Sequence, residues 1–214
     1  MFNTFSAHNF KDLCDTLSAR DEGLAMIIKT YGYPPMWTRP NTYETLVHII
    51  LEQQVSLASA LAALHQLRQE TRGITPAAIL ALSDETMRAC YVSRQKMSYI
   101  RILARAIAEG DLDLDALTVC ADEDIRAQLI RLKGIGHWTI DVYLMFVLQR
   151  ADIFPFGDLA AVNALKRLKQ LPKETPRAAL PDMIQHWRPY RTVATMILWH
   201  HYLSSPISAK MQSL

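Results

Sequence analysis

Apolar residues recur every three or four positions along almost the whole chain, whereas the strict alternation typical of a β-strand is scarce. Leu57, Leu61, Leu64 and Leu67, for example, share one face of a helix, and residues 7–31 fit one or two helices of this amphipathic kind. Helix-starting residues precede these runs, and glycine or proline follows many of them. The pattern predicts about ten helices joined by short turns. We expect an all-α fold of two helical lobes with a cleft between them.

Several helix boundaries can be predicted from capping residues and glycines. Asn41-Thr42-Tyr43-Glu44 has the form of a capping box in which Asn41 takes the place of the usual Ser or Thr. Two further helices, about 122–131 and 137–148, flank a turn that contains two glycines. Asp158 precedes another apolar run and fits the N-cap of a helix.

Composition and charge narrow the class of protein only a little. The chain has 214 residues, of which 50% are apolar, so it can form a sizeable core. The net charge of +2 excludes neither a nucleic acid nor a small molecule as partner. Lys and Arg outnumber acids by seven to two in residues 166–191, whereas residues 109–124 hold seven acids and no Lys or Arg. This segregation allows a basic face, although ordinary solvated helix surfaces are the simpler explanation.

The cysteines and the N-terminus bear on the compartment. Cys14, Cys90 and Cys120 are widely spaced and form no Cys-x-x-Cys pair, which argues against a disulfide framework and against a zinc or iron–sulfur site. No apolar run approaches the length of about 18 residues that a membrane span needs. The N-terminus also lacks a basic region followed by an apolar stretch, so we expect no secretory signal. The cytoplasm, or the nucleus in a eukaryote, is the expected location.

The turn with two glycines is the first candidate for a binding site. It has the sequence Leu-Lys-Gly-Ile-Gly-His-Trp-Thr at residues 132–139 and lies between two apolar, helix-like runs. Such a turn can expose the first N–H groups of the second helix, which lack partners and lie at the positive end of the helix dipole. The turn therefore predicts an anion site, for instance for a phosphate. A plain helix–helix turn is the alternative.

This turn, together with Asp-Ile-Phe-Pro-Phe-Gly-Asp at residues 152–158, resembles the helix-hairpin-helix/Gly-Pro/Asp superfamily of DNA glycosylases. Three further features are similar to its DNA-3-methyladenine glycosylase II branch: Trp138-Thr139 after the hairpin, Glu-Gln-Gln-Val-Ser at 52–56, and Trp-Arg-Pro-Tyr-Arg at 187–191 with Trp199 beyond it. The resemblance covers about residues 40–203.

The resemblance also implies a domain organisation. We expect the compact form of the family, without the N-terminal β-rich domain of its longer members. Residues 1–214 would form a single glycosylase domain of two interleaved helical lobes, with the helix-hairpin-helix at about 122–148.

The resemblance implies that Asp158 is the catalytic carboxylate, although taken alone it would be a helix cap. Bifunctional relatives carry a lysine where this chain has Trp138, so a strand-cutting lyase step is not expected. Trp138, Trp199 and Tyr143 would line the pocket for the damaged base, with core packing as the alternative for the last two. Gln54 would fill the gap that the extruded base leaves in the duplex, with an ordinary surface glutamine as the alternative.

The resemblance assigns DNA contacts to the hairpin. The N–H groups near Gly134, Gly136 and Thr139 would bind a DNA phosphate, with His137 close by. The backbone carbonyls of three residues could hold a structural Na⁺ or K⁺, and no cofactor would be required. These carbonyls belong to Ile130, Leu132 and Ile135. Nonspecific phosphate contacts could come from Lys166, Arg167 and Arg191.

The function implied by the resemblance is that of a monofunctional DNA glycosylase acting in base excision repair. Its partner would be double-stranded DNA that contains alkylated purines such as 3-methyladenine, which it would extrude from the duplex and release by hydrolysis of the N-glycosidic bond. We expect a monomer with no membrane association. Two alternatives stay open, namely a noncatalytic helix-hairpin-helix DNA-binding protein and a glycosylase/lyase that acts on oxidised bases.

Overall fold

The computed structural model describes residues 3–204. Within this range the chain forms thirteen α-helices and two short 3₁₀ helices, and the only β-type pairing is an isolated bridge between Thr4 and Arg150. The prediction of an all-α fold is confirmed. None of the helices in residues 3–204 is both long and apolar enough to cross a membrane.

The helices follow one another with short connections. In chain order they are α1 (Phe10–Arg20), α2 (Glu22–Tyr31), α3 (Tyr43–Glu52), α4 (Leu57–Thr71), α5 (Pro76–Ala81), α6 (Asp84–Ala89), α7 (Arg94–Ala108), α8 (Leu114–Leu117), α9 (Asp122–Leu129), α10 (His137–Phe146), α11 (Leu159–Leu168), α12 (Leu180–Met183) and α13 (Arg191–Ser204). The 3₁₀ helices are Arg177–Ala179 and Gln185–Trp187.

The described chain divides into two compact units. The continuous unit is Arg39–Tyr143, and the discontinuous unit combines residues 3–38 with residues 144–204. The unit boundary therefore falls inside α10. Because the discontinuous unit is made from both ends of the described chain, its fold depends on pairings between residues that are far apart in sequence. That the whole chain forms one domain stays a prediction.

Helix starts agree with the predicted caps except at α3. Thr42, not Asn41, is its N-cap, because Thr42 has the extended backbone of a cap and its hydroxyl accepts from the Thr45 N–H at 3.2 Å. The Asn41 side chain instead donates to the Leu114 carbonyl at 2.7 Å and accepts from the Tyr143 hydroxyl at 2.8 Å. The capping-box prediction for Asn41 was therefore wrong. Serine or threonine side chains also cap α4, α5, α6 and α7, namely Ser56, Thr75, Ser83 and Ser93.

Helix α3 is the central helix of the continuous unit, since eight of its ten residues are buried. Its C-terminal end is held by charged side chains. Glu52 is buried and accepts two bonds from the Arg39 guanidinium, at 2.7 and 2.9 Å. Lys96 donates to the Leu51 carbonyl at 2.7 Å, and burial lowers the pKa of Lys96. The end of α3 is thereby fixed on two sides, immediately before the segment that carries Gln54.

Asp21 organises the discontinuous unit. One carboxylate oxygen, Oδ1, caps α2 by accepting from the N–H groups of Gly23 and Leu24 at 2.9 and 3.3 Å. The other, Oδ2, accepts from Lys169 Nζ, His186 Nε2 and Trp187 Nε1 at 2.6, 2.8 and 2.7 Å. Burial alone would raise the pKa of Asp21, but these three hydrogen bonds outweigh burial and hold that pKa well below its ordinary value. The carboxylate therefore joins the N-terminal helices to the segment around the buried Trp187.

We expect Asp21→Asn to lower the free energy of unfolding by about 3 kcal/mol. An amide has only one oxygen, so its NH₂ group must face either the three donors at Oδ2 or the two N–H groups that Oδ1 caps. The matched control is Asp12→Asn, an exposed position on α1 of the same unit, which should change it by less than about 0.5 kcal/mol. Urea unfolding of the two variants and the wild type measures both values.

The same carboxylate predicts an acid dependence. A lowered folded-state pKa gives stability that is fully present above the unfolded pKa of about 4 and is lost as the pH falls below it. The wild type should therefore lose more stability than Asp21→Asn when the pH is lowered from 5 to about 3. Equal losses in the two proteins would contradict the role given to Asp21.

Candidate active site

The hairpin between α9 and α10 depends on one glycine backbone. Gly134 has φ +96°, a conformation that side-chain-bearing residues rarely adopt. A Cβ built on Gly134 would lie 2.0 Å from Cγ of Tyr99, so the ring of that tyrosine occupies the space where a side chain would stand. Gly136 differs, since a Cβ built there would meet no atom within 4 Å. Packing therefore excludes a side chain at position 134 but not at position 136.

Gln53 supports the hairpin from the end of α3. Its side-chain Nε2 donates to the Gly134 carbonyl at 2.8 Å and to the Thr139 hydroxyl at 2.9 Å. A further pair joins the two helices of the hairpin, since Arg126 in α9 donates to the Asp141 carboxylate in α10 at 2.6 Å. Burial raises the pKa of Asp141, and Arg126 opposes that rise. Sequence reasoning assigned no role to Gln53, although it belongs to the Glu-Gln-Gln-Val-Ser segment.

The start of α10 is open to solvent, as an anion site requires. Gly136 and His137 are exposed, Trp138 is half-buried, and the side chain of Thr139 is buried. The first turn of α10 contains no acidic residue, so no side chain there opposes an anion at the positive end of the helix dipole. The arrangement is suited to one DNA phosphate.

The carbonyls predicted to hold a monovalent cation lie in the same turn. The Leu132 carbonyl accepts the Ile135 N–H at 3.0 Å. In the described part of the chain, no backbone N–H outside a helix donates to the carbonyl of Ile130 or to that of Ile135. Carbonyl oxygens are the ligand type that alkali cations take in proteins, so this donor set fits Na⁺ or K⁺. Cation binding at this turn stays a prediction.

Gln54 lies on an exposed turn between α3 and α4. Its φ of +58° places it in the left-handed region, which is uncommon for a residue with a side chain. Val55 and Leu57, which follow in the chain, are also exposed. An exposed side chain on a turn, with exposed apolar neighbours, can be inserted into a DNA stack. Its predicted role is compatible with this position.

Asp158 is half-buried in the discontinuous unit and is the N-cap of α11. Its Oδ1 accepts from the Ala161 N–H at 2.7 Å and from the Trp199 indole N–H at 3.2 Å. The tight turn before it is closed by the Asp158 N–H, which donates to the Pro155 carbonyl at 2.8 Å. The helix-cap interpretation of Asp158 is confirmed, whereas its role as a functional acid stays a prediction.

Trp199 belongs to a cluster of aromatic rings beside Asp158. The Phe146 ring lies 5.4 Å from that of Trp199, and the Trp37 ring lies 6.5 Å away in an edge-to-face arrangement. Sequence reasoning identified Trp199 but gave no role to Trp37 or Phe146. Trp37 lies in an irregular, proline-rich segment where no periodicity marks a buried or a functional face.

Tyr143 does not have the surroundings of a pocket residue. Its side chain is fully buried in the continuous unit, and its hydroxyl donates to Asn41 Oδ1 at 2.8 Å. An extruded base has no access to such a side chain, so the pocket assignment is corrected to a core role. His200, the residue after Trp199 in α13, is hydrogen-bonded to the Tyr31 carbonyl at 3.0 Å.

The basic side chains predicted to contact phosphates are partly engaged within the protein. Arg191 forms a bidentate pair with the Asp152 carboxylate, at 2.7 and 3.0 Å, and also donates to the Asp152 carbonyl. It is therefore corrected to a structural role. Lys166 donates to the Lys173 carbonyl at 2.6 Å, and Arg167 is exposed with its guanidinium 6.0 Å from the centre of an aromatic ring.

The structure thus brings the predicted DNA contacts together in the continuous unit and the acid with its tryptophan in the discontinuous unit. An all-helical chain with a glycine hairpin at the start of a helix defines a protein of the helix-hairpin-helix class. The model of the HhH-GPD superfamily of base excision DNA repair proteins matches residues 47–189, more than half of the chain. The chain belongs to this family.

Named relatives agree with that assignment. DNA-3-methyladenine glycosylase 1 of Schizosaccharomyces pombe is 29% identical over 190 residues, which cover 86% of this chain and 83% of that protein. YfjP of Bacillus subtilis, provisionally named a DNA-3-methyladenine glycosylase, is 32% identical over 184 residues, which cover 82% of this chain. The match spans only 64% of the length of YfjP.

A solved structure shares the fold closely. The 3-methyladenine DNA glycosylase of Schizosaccharomyces pombe, in complex with abasic DNA, has a TM-score of 0.81 with this chain at 27% identity. The match covers 90% of this chain and 95% of that one.

We expect Gly134→Ala to destabilise the protein by about 3 kcal/mol or more, because it combines a disfavoured φ with overpacking against Tyr99. Gly136→Ala is the matched control and should change stability by less than about 0.5 kcal/mol, since no atom blocks its Cβ. Thermal unfolding of the two variants checks both values. Equal destabilisation would show that the turn does not depend on Gly134 in the way described.

Proposed function

We propose that the protein is a monofunctional DNA glycosylase that removes alkylated purines, 3-methyladenine foremost, from double-stranded DNA in base excision repair. The observation that carries the proposal is Asp158, a half-buried carboxylate held by two N–H donors in a chain of the base excision family. The Schizosaccharomyces pombe relatives, named 3-methyladenine glycosylases, support the choice of damaged base.

The chemistry assigned to Asp158 is electrostatic and directional. When the N-glycosidic bond breaks, positive charge develops on the sugar, and a fixed carboxylate nearby stabilises that charge. The Ala161 and Trp199 N–H groups both bond to Oδ1, so the direction of the carboxylate is set before the substrate arrives. The carboxylate can also orient or deprotonate the attacking water. Alkylation at a purine ring nitrogen makes the base cationic and a good leaving group, so little general-acid help is needed.

The position of Trp138 supports hydrolysis without strand cleavage. A glycosylase/lyase needs an amine that attacks the sugar carbon and forms a Schiff base. An indole cannot do this. The half-buried indole can instead stack on the extruded base, and a cationic base adds a cation–π attraction of about 0.5–2 kcal/mol.

The hairpin supplies the proposed DNA contacts. The N–H groups near Gly134, Gly136 and Thr139 would bind one phosphate at the start of α10, with His137 on the same exposed face. A cation held by the Ile130, Leu132 and Ile135 carbonyls would add positive charge at the same place.

Gln54 would enter the duplex where the damaged base leaves it. Extrusion costs a few kcal/mol of unstacking and unpairing, which an inserted side chain offsets in part. We further propose that the protein acts as a monomer in the compartment that holds the genome, the cytoplasm of a bacterium or the nucleus of a eukaryote.

Asp158→Asn tests the proposal. We expect release of labelled 3-methyladenine from methylated DNA to fall about 100-fold or more, because the amide keeps the shape but not the charge. Its Oδ1 can still accept from Ala161 and Trp199, so the fold should be retained. The control is Asp113→Asn, which changes another N-cap aspartate, that of α8, and should leave base release unchanged. A noncatalytic DNA-binding protein would release no base as the wild type either.

Borohydride trapping distinguishes the proposed function from the remaining alternative, a glycosylase/lyase. A lyase mechanism passes through a Schiff base that borohydride reduces to a stable protein–DNA adduct. We expect the wild type to release the base with no such adduct and no strand scission, as seen on a denaturing gel. A trapped adduct would identify a glycosylase/lyase and contradict the role given to Trp138.

A further inference from the structure

Two adjacent glutamines at the end of α3 have opposite surroundings. Gln54 is exposed, with its backbone in the left-handed region. Gln53 is half-buried, and its side chain points to the hairpin, where Nε2 meets the Gly134 carbonyl and the Thr139 hydroxyl. Both N–H groups of this one amide nitrogen therefore have an acceptor. Gly134 and Thr139 lie 81 and 86 residues beyond Gln53 in the sequence.

The segment around Gln53 is fixed by contacts that do not involve its side chain. Before it, the Lys96 ammonium binds the Leu51 carbonyl and Arg39 binds Glu52. After it, Ser56 caps α4 by accepting from the Ser59 N–H at 3.1 Å. The helices on either side should therefore persist when the Gln53 side chain is changed. What its amide adds is a defined distance between the exposed turn and the hairpin.

We propose that Gln53 is a positioning residue that sets the register between two DNA contacts, the phosphate at the hairpin and the side chain of Gln54 inserted into the duplex. The inference rests on the proposed function, because it assumes that both contacts are made to one damaged duplex. The Gly134 carbonyl and the Thr139 hydroxyl belong to the hairpin, and Gln54 directly follows Gln53 in the chain, so two hydrogen bonds and one peptide bond connect the two contacts.

Register matters because neighbouring bases on one strand are only about 3.4 Å apart. A shift of about 1 Å in the inserted side chain is a large fraction of that spacing, and misplacements of this size can cost about 100-fold in rate. Gln54 stabilises the extruded state only when it enters at the nucleotide next to the bound phosphate. Fixing the register before DNA binds also avoids an ordering cost on binding.

The amide group has properties that its near-isosteres lack. A glutamate at position 53 offers only acceptors, so it would place an oxygen against the Gly134 carbonyl, although the Thr139 hydroxyl could turn and donate to it. A methionine has similar length and no donor. Gln53→Met therefore removes both bonds with little change in volume, whereas Gln53→Glu retains the possibility of one.

The test uses unstacking of the duplex at the lesion as a readout that stability alone would not change. The probe is a duplex with a tetrahydrofuran abasic-site analogue next to 2-aminopurine, whose fluorescence reports unstacking at the site. We expect Gln53→Met to reduce the protein-dependent fluorescence change and to slow 3-methyladenine release at saturating protein by about 10-fold or more. Affinity for undamaged duplex should change by less than about 3-fold, because the hairpin N–H groups remain. Gln66→Met, an exposed glutamine on α4, is the matched control and should behave as the wild type.

A double-mutant cycle tests whether Gln53 acts through Gln54. With Gln54→Ala there is no inserted side chain to position, so adding Gln53→Met should slow release by less than about 2-fold further. Multiplicative effects of the two substitutions would overturn the inference, as would a wild-type fluorescence change in Gln53→Met. Should Gln53→Met unfold, Thr139→Val removes one of the two acceptors and keeps the backbone N–H. It should give a smaller loss with the same dependence on Gln54.

Failure of the inference and failure of the proposed function give different results. If the protein releases no base, or if Asp158→Asn releases it as fast as the wild type, the proposed function fails, whatever the fluorescence measurement shows. If Asp158→Asn is inactive and the Gln53 and Gln54 effects are independent, the function stands and the register role of Gln53 is excluded.

Discussion

The φ of +96° at Gly134 is the constraint on which the hairpin of the continuous unit depends. This backbone conformation lies in the turn between α9 and α10, and Gly136 and His137 at the start of α10 are exposed. The Tyr99 ring fills the place of the missing side chain, and the Gln53 amide holds the carbonyl of the same residue. One residue is therefore packed on one side and hydrogen-bonded on another, which leaves the turn little freedom to open.

The acid at the proposed reaction centre combines two duties in one atom. Asp158 Oδ1 starts α11 by binding the Ala161 N–H and also binds the Trp199 indole. Neither duty conflicts with the proposed chemistry, because in both the carboxylate accepts hydrogen bonds and keeps its negative charge. A helix cap thus provides the rigidity that an electrostatic catalyst needs, since a group already oriented costs no reorganisation during the reaction.

Local signals predicted most of the fold, and distant pairings account for what they missed. Helix periods and Ser or Thr caps act within one turn of chain, so the all-α class and most helix starts were correct. At α3 the choice between Asn41 and Thr42 was wrong because the Asn41 amide is taken by Leu114 and Tyr143, far along the chain. Asp21 and Trp187 are 166 residues apart, and no pattern in the sequence connects them. Tyr143 was misplaced for the same reason, because its burial depends on partners outside its own helix. The family was confirmed, the roles of Tyr143 and Arg191 were corrected, and the other site roles stay predictions.

The adjacent residues Gln53 and Gln54 cannot be distinguished by a sequence motif alone. A motif records that glutamines occupy positions 53 and 54, but it does not say which one is exposed and which one faces the protein. That difference comes from the end of α3, where Gln53 still has an extended backbone and Gln54 turns into the left-handed region. Two identical side chains are thereby sent in different directions, one to the hairpin and one to solvent. The backbone at the helix end, rather than residue type, determines these two directions.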